Sequence, residues 1–276
     1  QLVIRAAQAL TASSRPRGNM VSAAEEYEPE IRAHLQQQGY HDVILVTTGG
    51  DIVFTVKREA DFGTNLLHGP YRHSNLAAAF RSASTAAQRQ FARFVDFEPY
   101  GPSGMVPASF VASPVYDAHR LVAVLIFQIS INDINAVMTE NSNWHDEGLG
   151  ESGETYIVGT DYLMRNDSRF FVEQPQAYFR TLAAVGTDTS VISRIRATRT
   201  SVLLQEVRTE ATRAALRGYT DTRNVIDYRG ERVLSSFAPL VIPDLRWVML
   251  SEIDERAAFR SVYALRERLI LSGLII

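Results

Sequence analysis

Residues 94–133 read FVDFEPYGPSGMVPASFVASPVYDAHRLVAVLIFQISIND. Runs rich in β-branched and aromatic residues are broken here by YGPSGMVP at 100–107 and by YDAHR at 116–120. Clusters of Pro, Gly and Asp between such runs mark turns between strands. The stretch therefore predicts three successive antiparallel strands, roughly 93–98, 108–116 and 121–131. Asp96, Tyr100, Ser103, Tyr116 and Gln128 are interleaved with the apolar positions. A sheet of this kind packs a core and still presents a few hydrogen-bonding groups, which makes it the candidate small-molecule pocket.

Upstream, YHDVILVTTGGDIVFTVKRE at 40–59 has short apolar runs joined at Gly49–Gly50, a strong hairpin signal. A loop, ADFGTNLLHGPYRHS, and a helix, NLAAAFRSASTAAQRQFA, carry the chain across to the three strands. INDINAVM then reads as a short closing helix. Residues 1–38 are helical in pattern, interrupted at Ser13–Gly18, where Pro16 and Gly18 break or kink a helix, and Pro29 argues against an unbroken run.

The second half repeats the plan. ETYIVGTDYLMRNDSRFF predicts another hairpin with Thr160 and Asp161 near its turn, and 191–216 a helical crossover. NVIDYRG, ERVLSSFAPLVI and LRWVMLSEID predict three more strands, with a helix from Glu255. The expected fold is α+β: a long N-terminal helix followed by two tandem PAS-like modules, each a five-stranded antiparallel sheet with flanking helices.

At 276 residues and 46% hydrophobic content the chain can bury one large core or two ordinary ones. Lys+Arg 28 against Asp+Glu 31 gives a net charge of -3 and no basic stripe, so nucleic acid is not an expected partner. With no cysteine there is no disulfide framework or thiolate chemistry. The C-terminus, YALRERLILSGLII, reads either as the start of a membrane helix or as a core helix. No signal peptide precedes Gln1, QLVIRAAQAL reads as the inside of a helix, and the chain reads as cut at both ends from something longer.

The sequence resembles the double Cache sensor domains that lie outside the membrane in bacterial chemoreceptors, sensor histidine kinases and membrane-bound nucleotide cyclases. GYHDVILV, GDIVFTVKREADFGTNLLHGPY, VDFEPYGPSGMVPASFVASPVYD and LIFQISINDINAVM carry the resemblance in the first half. GLGESGETYIVGTDYLMRNDSRFF, NVIDYRGERVLSSF and RWVMLSEID carry it in the second, and together these phrases span about residues 39–259. The resemblance implies a periplasmic sensor fragment between transmembrane helices, signalling to a cytoplasmic output. The modules it implies are an N-terminal helical segment, 1–38, a ligand-binding membrane-distal module, 39–139, a membrane-proximal module, 140–254, and a C-terminal helix, 255–276, leading into the membrane. It also favours the membrane-helix reading of the C-terminus and dimerisation along the N-terminal helix.

In amino-acid-binding members a Tyr before the central hairpin turn and an Asp at the end of the last distal strand hold the ligand. Tyr100 matches the first, while Gln128 stands where the Asp is expected. An ionised Asp gives a charge-assisted bond to an ammonium; Gln offers a neutral carbonyl and an amide donor. The Arg-x-Trp element of those members has no counterpart, since the tryptophans are Trp144 and Trp247. An ordinary α-amino acid is therefore not the expected ligand. The candidate ligand-binding set is Asp96, Tyr100, Ser103, Phe110, Tyr116 and Gln128. Asp96 reads either as a carboxylate facing ligand or as a strand-end Asp pairing with Arg93 or capping backbone. For Tyr100, Phe110 and Tyr116, core packing competes with pocket lining.

No catalytic, metal or cofactor site is expected. GLGESG leads into a strand instead of a helix, which excludes a dinucleotide fingerprint, and reads as a joint between modules. The six histidines show no HExxH or other tight metal spacing. Arg165, Asp167 and Arg169 read as one salt-bridged sheet face. The leading function is a sensor of a small polar molecule. The alternative is an interaction or dimerisation module without a ligand; an extracytoplasmic hydrolase ranks last.

Overall fold

The computed structural model describes residues 28–33, 35, 37, 40–88, 90–139 and 149–260. Most of the expected N-terminal helix and the apolar C-terminal stretch lie outside these residues. Two compact units emerge, one comprising residues 1–134 with 242–245 and the other residues 135–241 with 246–276.

The first unit is built on a five-stranded antiparallel sheet ordered β2-β1-β5-β4-β3. Its strands are β1 Asp42–Thr47, β2 Ile52–Thr55, β3 Arg93–Tyr100, β4 Val106–Asp117 and β5 Arg120–Ser130. Gly50, at φ +90°, closes the β1–β2 hairpin, in the left-handed region that disfavours other residues. Helix α1, Asn75–Ser84, begins at Ser74, whose Oγ accepts from the Ala77 amide at 3.2 Å. Its Leu76, Ala77, Ala79, Phe80 and Ala83 pack on the face carrying Ile44, Phe110, Val124 and Ile126. Period-two alternation sends Val43, Leu45, Val53 and Val122 to the opposite face, which Leu35 and Ile31 cover. Residues 28–33, Pro29 among them, are helical. Helix α2, Ile131–Thr139, follows β5 directly.

The second unit holds a four-stranded antiparallel sheet ordered β6-β9-β8-β7. The strands are β6 Glu154–Val158, β7 Asp221–Ile226, β8 Arg232–Pro239 and β9 Val248–Asp254. Between β6 and β7 run α3 Arg169–Glu173, α4 Pro175–Ala184, α5 Thr189–Thr198 and α6 Glu210–Leu216. Helix α7, Glu255–Ala258, follows β9. The mixed α+β class and the two antiparallel sheets agree with expectation, but the second sheet has four strands where five were expected.

Local chemistry explains the missing strand. After the turn at Gly159 the chain meets β6 at one bridge, Val158 with Met164, and then leaves it. The Asn166 side chain takes the place of a ladder partner, its Oδ1 accepting from the Ile157 amide at 2.7 Å. The Arg165 guanidinium lies over Gly159, where a Cβ would come within 2.1 Å of Nη2, and donates to Leu163 O and Asp161 Oδ2. Ser168 then caps α3, accepting from the Phe171 amide. Arg165, Asp167 and Arg169 are therefore not a sheet face. All three are buried. Asp167 Oδ1 accepts from Thr200 Oγ1, Ser201 N and Ser201 Oγ, while Arg169 opens α3.

Candidate functional site

On the α1 face of the first sheet, Asp42, Gln128 and Phe110 form one cross-strand row, because Asp42 and Phe110 are both direct partners of Gln128. Direct antiparallel partners project to the same side. The β3–β4 turn brings Ser103 over this row, and the Gln128 Nε2 donates to Ser103 Oγ at 3.2 Å. Ser103 in turn donates to Glu59 Oε2 at 2.5 Å, and His41 Nε2 lies 3.8 Å from Glu59 Oε1. Beside this chain the Tyr100 hydroxyl donates to Asp61 Oδ2 at 2.6 Å, with both side chains buried. Tyr100 also meets Phe110 edge-on, with ring centroids 5.1 Å apart.

Burial pushes the Asp61 carboxyl above its usual range, against the Tyr100 hydrogen bond. Burial, reinforced by the Asp61 charge, raises the Tyr100 phenol in turn, so it stays a donor at any physiological pH. Asp42 is raised by burial too, opposed by four donors: Thr55 Oγ1 and the amides of Val43, Lys57 and Val56. The Glu59 charge raises Asp61 further, so two acids lie close together beside Tyr100 and Ser103, a field that favours a ligand rich in N–H or O–H donors.

The loop above the row is held by side chains of its own. Asn65 Nδ2 donates to Gly49 O and Asp51 Oδ1, and its Oδ1 accepts from the amides of Leu67 and His68. Asn75 at the start of α1 spans the β3 bulge, donating to Ala108 O at 2.7 Å and Asp96 O at 3.1 Å.

Tyr100, Ser103, Phe110 and Gln128 are therefore brought together. Asp96 sits at the bulge between Val95 and Glu98, where its Oδ1 accepts from the Phe97 amide, while Arg93 pairs with Asp244. Tyr116 lies six residues along β4 from Phe110, about 20 Å in an extended strand, and donates to Ala86 O at 3.1 Å. Glu59, Asp61 and Asp42 were not among the sequence candidates. Asp42, a charged residue immediately before the apolar run VILV, was the available signal.

A groove of about 850 Å³ opens on the second unit, lined among others by Asp188, Glu206, Arg208, Glu210, Asp227 and Tyr228. Its acidic groups are already engaged: Glu206 with Arg208, Glu210 with Arg223, Asp227 with Arg229, and Asp188 as the cap of α5. Among the described residues no three His, Cys, Asp or Glu side chains are placed to hold a metal ion, and no helix is long and apolar enough to cross a membrane.

No family model matches the chain, and no curated protein does either. Solved structures do. The sensor domain of the Vibrio cholerae histidine kinase DctB aligns with TM-score 0.53 at 13% identity, over 91% of this chain and 84% of that one. The ligand-binding domain of the Pseudomonas aeruginosa PAO1 amino acid chemoreceptor PctB, in complex with L-Arg, aligns with TM-score 0.51 at 14% identity, over 97% and 84%. That of PctC from the same strain, in complex with GABA, gives 0.50 at 14%, over 92% and 88%. At such identities the likeness establishes the fold, and it is the fold that the sequence resemblance implies.

Proposed function

We propose that the chain is the extracytoplasmic sensor domain of a bacterial transmembrane receptor, and that its first module, residues 39–139, binds a small polar molecule beneath the loop at 61–71. The observation that carries this reading is the convergence of Tyr100–Asp61 and Gln128–Ser103–Glu59 on one face of the sheet. Gln128 and the surrounding carboxylates suit an amine or polyol better than the carboxylate of an α-amino acid. In this reading residues 140–254 act as relay, and residues 1–38 and 255–276 connect to membrane helices. The bound molecule shifts a two-state equilibrium only by its difference in affinity for the two states, about 1.4 kcal/mol for each tenfold.

A thermal-shift screen of small amines, polyols, acids and nucleobases tests this. For a molecule that raises the melting temperature, Gln128→Ala and Asp61→Asn, each shown folded by circular dichroism, are expected to weaken binding at least about tenfold by calorimetry. Unchanged affinity in both variants moves the site elsewhere.

One observation favours the second reading, an interaction or dimerisation module: Tyr100, Ser103 and Gln128 are satisfied by the protein's own groups. A chain that no small molecule stabilises, and that dimerises in solution, supports it.

A further inference from the structure

The second unit contains a row of the same design with different chemistry. Glu154 on β6 and Ser235 on β8 are both direct cross-strand partners of Glu252 on β9. The three side chains share the face that carries Tyr156, Phe237 and Leu250 into the core. Glu154 is 2% exposed and Glu252 3%. Cβ atoms of direct partners lie about 4.5–5.5 Å apart, and like charges so placed repel. Two ionised carboxylates in this dry row are therefore unfavourable.

The surroundings treat the two acids differently. Glu154 has a donor on each oxygen, the Arg169 amide on Oε1 and the Tyr228 hydroxyl on Oε2, both at 2.7 Å. Glu252 Oε2 accepts from Tyr156 at 2.7 Å. Its Oε1, however, is buried without a hydrogen-bond partner among the described residues, and so is Ser235 Oγ. A carboxylate oxygen can only accept, so an ionised Glu252 depends on Ser235 turning its proton inward; a protonated Oε1–H can itself donate to the serine oxygen. Burial pushes Glu252 up to about 7, against the Tyr156 and Ser235 hydroxyls, and the charges of Asp227 and Glu154 push it further. Burial raises Glu154 as well, opposed by Tyr228, Ser168, Arg229 and the Arg169 amide.

We propose that Glu252 is a proton-binding site through which the second unit responds to pH, with the proton held on Oε1 in the buried row between Glu154 and Ser235. When that proton leaves to solvent, two charged carboxylates face each other across β6 and β9, three residues before β9 gives way to α7 at Glu255. The titratable and charged groups around the row are Glu154 and Tyr156 from β6, Asp227, Tyr228 and Arg229 from the β7–β8 turn, Arg169 from α3, Tyr178 from α4 and Asp254 on β9. Arg223, the β7 partner of Ser235, is tied to Asp221 and Glu210. The first unit supplies the non-titrating counterpart. Gln128 also stands three residues before its following helix, opposite Asp42 at the start of β1, and its amide has the shape of a protonated glutamate.

The test is thermal unfolding of the whole chain between about pH 5 and 9, with infrared detection of the protonated carboxyl. Because the folded group binds its proton more tightly than the unfolded one, its stabilisation is complete at acid pH and is lost as pH rises towards about 7. Wild type is expected to lose several degrees of melting temperature across that window and to show a carboxyl band that vanishes with a midpoint near neutrality. Glu252→Gln is expected to lack the band, flatten the slope and melt above wild type at alkaline pH. Titration of wild type only in the ordinary carboxylate range, or an unchanged slope in Glu252→Gln, overturns the proposal. None of these readouts depends on a ligand in the first unit.

Discussion

Asp42 shows how much one buried side chain organises. Its carboxylate gathers Thr55 Oγ1 and the amides of Val43, Val56 and Lys57, closing the exit of β2 against the entry of β1. Hydrogen bonds to a charged group contribute about 1.5–3 kcal/mol, and orphaned buried donors cost more than a lost bond. Asp42→Ala is therefore expected to lower unfolding stability by about 3 kcal/mol in urea with an unchanged slope; a loss under about 1 kcal/mol would mean that water replaces the carboxylate without strain. Residues of this kind were only partly legible. The β9 phase puts Val248, Leu250 and Glu252 on one side, so an inward glutamate was readable from VMLSEID once the apolar face was assigned. That Asp61 would meet Tyr100 was not readable, because a loop residue's partner 39 positions away depends on packing that no local pattern encodes.

At the scale of elements, pattern and turn chemistry located the nine described strands within a few residues of their observed ends, and the hairpin at Gly49–Gly50 directly. The return strand expected after the turn at Thr160 and Asp161 failed for a physical reason: the Asn166 side chain and the buried Arg165 guanidinium compete with the ladder. Helix starts depend on serine caps of unequal burden. Ser74 Oγ serves the Ala77 amide at a partly buried site, whereas Ser168 Oγ serves the Phe171 amide and also meets the Tyr228 hydroxyl at 2.8 Å in the core. Ser74→Ala is expected to cost about 1 kcal/mol. Ser168→Ala should cost about twice that, since it also unbalances the hydroxyl bound to Glu154. Equal losses in chemical denaturation would show that the Ser168–Tyr228 contact adds nothing to the cap.

For the whole molecule, each unit has cores of its own. Phe80 packs with Leu76, Phe110 and Ile126, while Leu182 packs with Tyr178, Ile195 and Val233. Removing a large buried side chain costs about 2–5 kcal/mol locally. Hydrogen exchange is expected to separate the two: Phe80→Ala should deprotect peptides from 42–130, and Leu182→Ala those from 154–254. Deprotection of both regions by either variant would make the chain one cooperative body. The repeated plan was visible in the sequence because both halves end in three strands with similar turns. The inequality of the halves was hidden, since it arises from four helices and a side-chain substitute for one strand.

The equivalent placing of Gln128 and Glu252 has an evolutionary consequence. Glutamine and glutamate codons differ only in their first base, so a single nucleotide change converts a permanently neutral side chain at the centre of such a row into an ionisable one, or the reverse, with almost no change in side-chain volume. Two repeats of one architecture can thus exchange chemical sensitivities without rebuilding either core, and the pair of rows gives selection a short path between sensing protons and ignoring them.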